Sequence, residues 1–224
     1  MIDFHTHILP NMDDGSKDVD ESLKLLELLE KQDVKLVCLT SHFYPSHESI
    51  DEYLSRRNKA YEKLNYQGPI EIRLGSEVRY YRGISLSDNI ESLCIENTNL
   101  LLLELPFNND INDSIINEII KLSYRNIRII LAHIERYDIS LKKLEYLKNN
   151  GILIQCNNEF IIGSLFNHKG IKMLKEGYID VLGSDSHDLK TRKPNMDKVK
   201  EVIVNKLGNQ FLDNFINNTY KIIE

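Results

Sequence analysis

Histidines and carboxylates recur along this 224-residue chain at matching places, each just past a short apolar run. His5 and His7 flank Thr6 after the first run, and Asp13 and Asp14 follow in the loop beyond it. His42 follows the second run, Glu77 ends the third, Glu104 the fourth and His133 the fifth. Asp185 and His187 flank Ser186 at the end of the seventh. One such residue alone is more often a hydrogen-bonding loop residue than a ligand, since these types are mostly exposed. Six run ends of seven carrying them call for a joint explanation. Several carboxylates in one pocket would repel and raise one another's pKa, and divalent cations supply the compensating charge. Imidazole and carboxylate donors without cysteine suit manganese, zinc or iron rather than a structural thiolate zinc site. The donors exceed what one ion needs, so two or three ions are expected.

Gathering these residues requires strands whose carboxyl ends share a face, as in a parallel barrel or an open α/β sheet. The apolar, β-branched runs at residues 2–5, 34–41, 70–77, 99–104, 127–133, 152–157 and 179–185 read as such strands, buried on both faces. Helical patterns lie between them, at residues 18–32, 49–66, 111–124, 140–149, 171–176 and 197–207, with a weaker stretch at 210–218. The first repeats Leu23, Leu26 and Leu29, and Asp18 with Glu21 suggests a capping box at its start. Alternation predicts an α/β fold. Within His5-Thr6-His7 and Asp185-Ser186-His187 the outer pair can point one way, because extended chain has period two. Barrel and open sheet are not separated by periodicity.

Composition sets the remaining bounds. Hydrophobic residues at 42% and charged ones at 28% describe an ordinary soluble globular protein. No linker-like segment or internal repeat divides the chain, so one domain over residues 1–224 is expected. Twenty-eight basic against 34 acidic residues give a net charge of −6, which disfavours an extended nucleic-acid platform. No apolar run approaches the roughly 18–20 residues of a membrane helix. Met1-Ile2-Asp3-Phe4-His5 shows no basic stretch followed by an apolar one, so a cytoplasmic protein without membrane insertion is expected. Cys38, Cys94 and Cys156 are too few and scattered for a disulfide framework, and none has arginine six positions on, as a cysteine-based phosphatase would. Cys38 and Cys156 read as inert core residues, and His47 and His168 as solvent-facing.

The opening Ile2-Asp3-Phe4-His5-Thr6-His7-Ile8-Leu9-Pro10 with Asp13-Asp14-Gly15 resembles the polymerase-and-histidinol-phosphatase superfamily. Within it, Leu131-Ala132-His133-Ile134-Glu135-Arg136-Tyr137 and Gly183-Ser184-Asp185-Ser186-His187 are similar to the bacterial manganese-dependent tyrosine-protein phosphatases of capsular and exopolysaccharide synthesis. The likeness runs from residue 2 to about residue 194. It implies a distorted seven-stranded β/α barrel with a trinuclear metal site. By motif, His5, His7, Glu77 and Asp185 would hold one ion, and Glu77 would bridge to a second held by Glu104 and His133. Asp14, His42 and His187 would hold the third, with Asp14 chosen over Asp13 on spacing alone. Arg136 and Arg192 would bind phosphate. Family members often read Thr-Pro-His-His at the second strand, where this chain has Thr40-Ser41-His42-Phe43.

The resemblance implies hydrolysis of phosphotyrosine on a bacterial tyrosine kinase of polysaccharide export, by attack of a metal-bound hydroxide on phosphorus. The tyrosine phenolate, with a pKa near ~10, needs less help in leaving than an alkoxide does. Its proton would come from a coordinated water or from His187. Two other readings stay open: another phosphoesterase of the superfamily, such as a histidinol-phosphate phosphatase, and a non-catalytic metal-containing regulator that binds the kinase. Arg79, Tyr80, Tyr81 and Arg82 read either as a grip on phosphopeptide or as an exposed loop. Asn157 and Asn158 are expected near the site, without an assigned role.

Overall fold

The computed structural model describes residues 1–106, 111–163 and 167–224. Its strands are β1 (Ile2–Thr6), β2 (Leu36–Leu39), β3 (His42–Phe43), β4 (Glu71–Leu74), β5 (Glu77–Arg79), β6 (Leu100–Glu104), β7 (Arg128–Leu131), β8 (Leu153–Asn157) and β9 (Val181–Gly183). Every ladder is parallel, in the orders β1-β2-β4 and β3-β5-β6-β7-β8-β9. Two of the expected strands are interrupted, one at Thr40-Ser41 and one at Gly75-Ser76, and each resumes with a ligand-type residue, His42 or Glu77. The interruptions transfer the short β3–β5 pair, in which His42 lies opposite Glu77, from the β1-β2-β4 sheet to the larger one, where β5 pairs with β6. Asp185 N donates to His5 O at 2.8 Å and His7 N to Ser186 O at 2.9 Å, so the last strand curls round to the first.

The helices are α1 (Val19–Lys31), α2 (Ile50–Leu64), α3 (Asp113–Ser123), α4 (Leu141–Asn149), α5 (Asn158–Ile162), α6 (Asn167–Lys175), α7 (Met196–Leu207) and α8 (Asn209–Ile223). Asp18 caps α1 by accepting from Glu21 N, while the Glu21 carboxylate turns to Lys17 N rather than completing the box. The full reciprocal box belongs to α2, between Ser49 and Glu52. The core is double. Val37, Leu39, Leu101, Leu103, Ile129 and Leu131 pack with the helices, whereas Ile2, Phe4, Cys38, Leu100, Leu102, Ile130 and Val181 form a second cluster on the other face. Ile223 of α8 joins that second cluster, and Arg73 and Arg128 donate to the last carbonyls of α8, at Ile223 and Ile222. Since side chains alternate along a strand, Leu100, Leu102 and Glu104 share a face, and the carboxylate sits above the second cluster.

Candidate metal centre

The strand ends and the loop after β1 bring all nine expected ligands into one cluster, buried except for the partly covered His42 and the exposed Asp14, with Arg136 and Arg192 at its edge. Nε2 of His5 and Nε2 of His7 face each other at 3.1 Å, and each lies 3.2 Å from Glu77 Oε2. Asp185 Oδ1 is 3.6 Å from the first ring nitrogen and 3.5 Å from the second. His133 Nε2 meets Glu77 Oε1 at 2.8 Å and Glu104 Oε1 at 3.6 Å. His42 Nδ1 also reaches Glu77, at 2.9 Å. Asp14 Oδ1 faces His187 Nε2 at 3.4 Å and His42 Nε2 at 3.7 Å. Three sets of ligand atoms fall within 4.8 Å: His7, Asp14, His42 and His187; His5, His7 and Glu77; and His42, Glu77 and Glu104.

Tautomers test whether a cation fits. His5 Nδ1 faces Gln155 Oε1 at 3.3 Å, and that oxygen also accepts from His133 N at 2.6 Å. His7 Nδ1 faces Asp13 Oδ2 at 2.8 Å, and His187 Nδ1 faces the Asp185 carbonyl at 2.9 Å. Each partner is an acceptor, so each Nδ1 carries the hydrogen and each Nε2 turns a lone pair inward. An outer acceptor fixing an imidazole this way is the usual support of a metal ligand. His187 Nε2 is buried without a hydrogen-bond partner. The residues present fit divalent cations.

Electrostatics agree. Burial works to lower His5 and His7, yet Glu77 and Asp185 raise the first, and Asp13 with Glu77 lifts the second well above the usual imidazole value. Burial opposes ionisation of Glu77, but His5, His133 and His42 hold it well below the ordinary carboxylate value. His133 and His187 are lowered, burial being the largest cause. The neighbouring His187 imidazole brings Asp14 down to about 2. Imidazoles and carboxylates are thus tightly coupled across the cluster, and metal binding at such a cluster is linked to proton uptake and release.

Two candidate ligands sit on unusual backbone. His133 has φ of 34° and Asp185 of 52°, the left-handed region that side-chain-bearing residues seldom occupy. The kink at His133 ends β7 and turns its ring toward Glu77. Glycine is required beneath two others: a Cβ on Gly183 would lie 2.5 Å from His5 Cβ, and one on Gly15 would lie 2.1 Å from His7 O.

The arginines converge on one oxygen. Arg136 and Arg192 reach Asp185 Oδ2 at 2.7 and 2.6 Å, and Asn157 Nδ2 donates to it at 2.8 Å. Arg192 is set by its loop, where His187 N donates to Arg192 O and Asp188 accepts from Lys190 N and Thr191 N. Beside them opens a cavity of about 610 Å³ lined by Arg136, Arg192, Asp185, Asn157 and Phe160 among others.

Several residues have supporting roles that the sequence reading did not assign. Asp13 is buried beneath the site, accepting from His42 N as well as orienting His7, while Asp14 faces the cluster. Gln155 braces His5 and His133, Asp3 accepts from Ser184 N, and the Tyr137 hydroxyl lies 3.2 Å from His133 Nδ1. Arg79 pairs with Glu104 at 2.7 Å, and Tyr80 donates to Glu118, so this pair is engaged within the protein. Asn158 supports the start of α7 through Asn195. All three cysteines are buried, and burial raises their thiols. His47 and His168 are exposed. No helix among the described residues is long and apolar enough to cross a membrane.

Comparison with known proteins follows the same lines. The family described as capsular polysaccharide synthesis, CpsB/CapC, matches residues 1–224. Tyrosine-protein phosphatase CpsB of Streptococcus agalactiae is 29% identical, covering 100% of this chain and 98% of the relative. Tyrosine-protein phosphatase YwqE of Bacillus subtilis is 24% identical, covering 94% and 86%. Among solved structures, one chain from the crystal structures of YwqE of Bacillus subtilis and CpsB of Streptococcus pneumoniae, described as metal-dependent tyrosine phosphatases, gives a TM-score of 0.84 at 22% identity, covering 100% of this chain and 94% of the other. A phosphotriesterase homology protein of Escherichia coli shares the fold more distantly, with a TM-score of 0.55 at 10% identity over 95% and 94% of the two chains.

Proposed function

Because the chain belongs to the capsular polysaccharide synthesis family CpsB/CapC, we propose that it is a metal-dependent protein-tyrosine phosphatase. Its substrate is a phosphotyrosine protein, a bacterial tyrosine kinase of polysaccharide export, met in the cytoplasm. The fold reads as one domain closing a seven-stranded β/α barrel, with β2–β3 and β4–β5 each counted as one interrupted strand. The observation that carries the activity is the meeting of two guanidinium groups with the inward-facing imidazole and carboxylate cluster on Asp185.

His5, His7, Glu77 and Asp185 would hold one ion, Glu77, Glu104 and His133 a second, and Asp14, His42 and His187 a third, manganese being the first choice and iron or zinc the others. When bound, such ions acidify water toward neutrality and offset phosphate charge. Arg136 and Arg192 bind the non-bridging phosphoryl oxygens, their planar forks matching phosphate geometry. Both already point at Asp185 Oδ2, so a phosphate arriving from the cavity finds its donors assembled, and preorganised donors are the effective ones in catalysis. The substrate ring lies in the cavity against Phe160. His187, with its Nδ1 hydrogen on a carbonyl, serves as a ligand rather than as the proton donor, and solvent protonates the phenolate. The buried thiols take no part.

The test is phosphate release from a phosphotyrosine peptide by chelator-stripped protein, before and after manganese, alongside His133→Ala and Arg136→Ala. Activity restored by manganese and reduced by about 100-fold or more in both variants is expected, as for loss of a charge-stabilising donor. Turnover of histidinol phosphate alone would overturn the substrate. Metal binding without turnover of either would favour a regulator that binds the kinase.

A further inference from the structure

The cavity beside the arginines has neighbours. It shares Glu135, Phe160 and Lys169 with a second hollow of about 190 Å³, lined also by Ile139, Leu144 and Met173. That hollow in turn shares Lys172 and Glu176 with a third, where Lys175 of α6 and Lys206 of α7 are added. A row of adjoining hollows thus runs from Arg136 and Arg192 along α6. Lys169, Lys172 and Lys175 follow at intervals of three along the helix, are exposed, and span about 9 Å of axis, the length of about three extended residues. Along the second and third hollows four lysines stand against two glutamates, Glu135 and Glu176, in a chain whose overall charge is −6. Glu176 lies 3.8 Å from Lys172, and Glu135 accepts from Asn157 N. This local reversal of sign attracts anionic chain.

We propose that the α6 path receives acidic residues flanking the phosphorylated tyrosine, so that the enzyme selects phosphotyrosine peptides carrying Asp or Glu on one side. The inference rests on the phosphatase reading and adds to it a specificity determinant outside the metal cluster. Lys172 and Lys175 act through peptide charge alone and touch neither metal ligand nor phosphate.

The experiment uses manganese-loaded protein and three fluorescein-labelled phosphotyrosine peptides: glutamates before the tyrosine, glutamates after it, or glutamine on both sides. Hydrolysis and binding by anisotropy are measured for each, with p-nitrophenyl phosphate as a substrate that has no flanks. One glutamate-flanked peptide is expected to show a KM and Kd about fivefold lower than the glutamine peptide, the scale of a few exposed charge pairs. Added salt reduces that gap. In Lys172→Gln/Lys175→Gln the preference disappears while p-nitrophenyl phosphate turnover stays within about twofold, surface changes of this kind being mild. Equal constants for all three peptides, or a preference surviving in the double variant, would overturn the proposal. Failure to hydrolyse even p-nitrophenyl phosphate would sink the phosphatase reading instead, while anisotropy would still decide whether the path prefers acidic flanks.

Discussion

Position 133 shows what a candidate ligand costs the fold. With φ at 34°, the histidine occupies backbone that disfavours any side chain, by about 1–2 kcal/mol. Glycine there would relieve the strain, whereas alanine would keep it, and neither can ligate. His133→Gly is therefore expected to be more stable than His133→Ala by about 1 kcal/mol in urea denaturation, with both inactive. Equal stability would mean that the backbone relaxes once the imidazole is gone. Residues of this kind were legible because their type and place at a strand end advertise them. Their supports were not. Gln155 meets His5 across 150 positions, and nothing local distinguishes it from any strand glutamine. Asp13 and Asp14 are chemically identical neighbours, and only the packing of His7 and His42 separates the buried one from the one facing the cluster.

Elements position these groups through close approaches that few side chains permit. Gly183 ends β9 against β1, and a Cβ there would press 2.5 Å from His5 Cβ, with Gln155 Nε2 at 2.9 Å. Gly183→Ala is thus expected to displace both a candidate ligand, His5, and its brace, Gln155. Apparent manganese affinity, read by titration of stripped protein, should fall about 10–100-fold, the range seen when supports of metal ligands are lost. Unchanged affinity would show that β9 can slide without disturbing His5. Alternation of strand and helix was readable from periodicity, but its interruptions were not. Apolar runs at 34–41 and 70–77 look continuous, although the ladder breaks in each before the ligand-type residue. At the other end, the asparagines of residues 210–218 suggested a weak helix. The observed α8 runs to Ile223, because Leu212, Phe215, Thr219 and Ile223 bury one face and the arginines of β4 and β7 hold its last carbonyls. Tertiary packing outweighed propensity there.

At the scale of the whole molecule, the question is whether the buried charge cluster needs its cations in order to fold. Unpaired buried carboxylates would be ruinous, and breaking a buried pair typically costs about 3–5 kcal/mol. Yet the metal-free site is internally compensated: Asp185 is held by two arginines and Asn157, and Glu77 is surrounded by the imidazoles of His5, His7, His42 and His133. The two apolar clusters lie below it and are complete without any ion. Chelation should therefore leave the far-ultraviolet circular dichroism unchanged and lower only the melting temperature. A ligand at 100 times its Kd stabilises by about 2.7 kcal/mol, which for a domain of this size corresponds to about 5–10 °C. A shift of that size, reversed by manganese, would place the ions as catalytic equipment set on a self-sufficient scaffold. Loss of the folded spectrum on chelation would instead make the cluster a structural metal site, and no shift at all would argue against ion binding at this cluster.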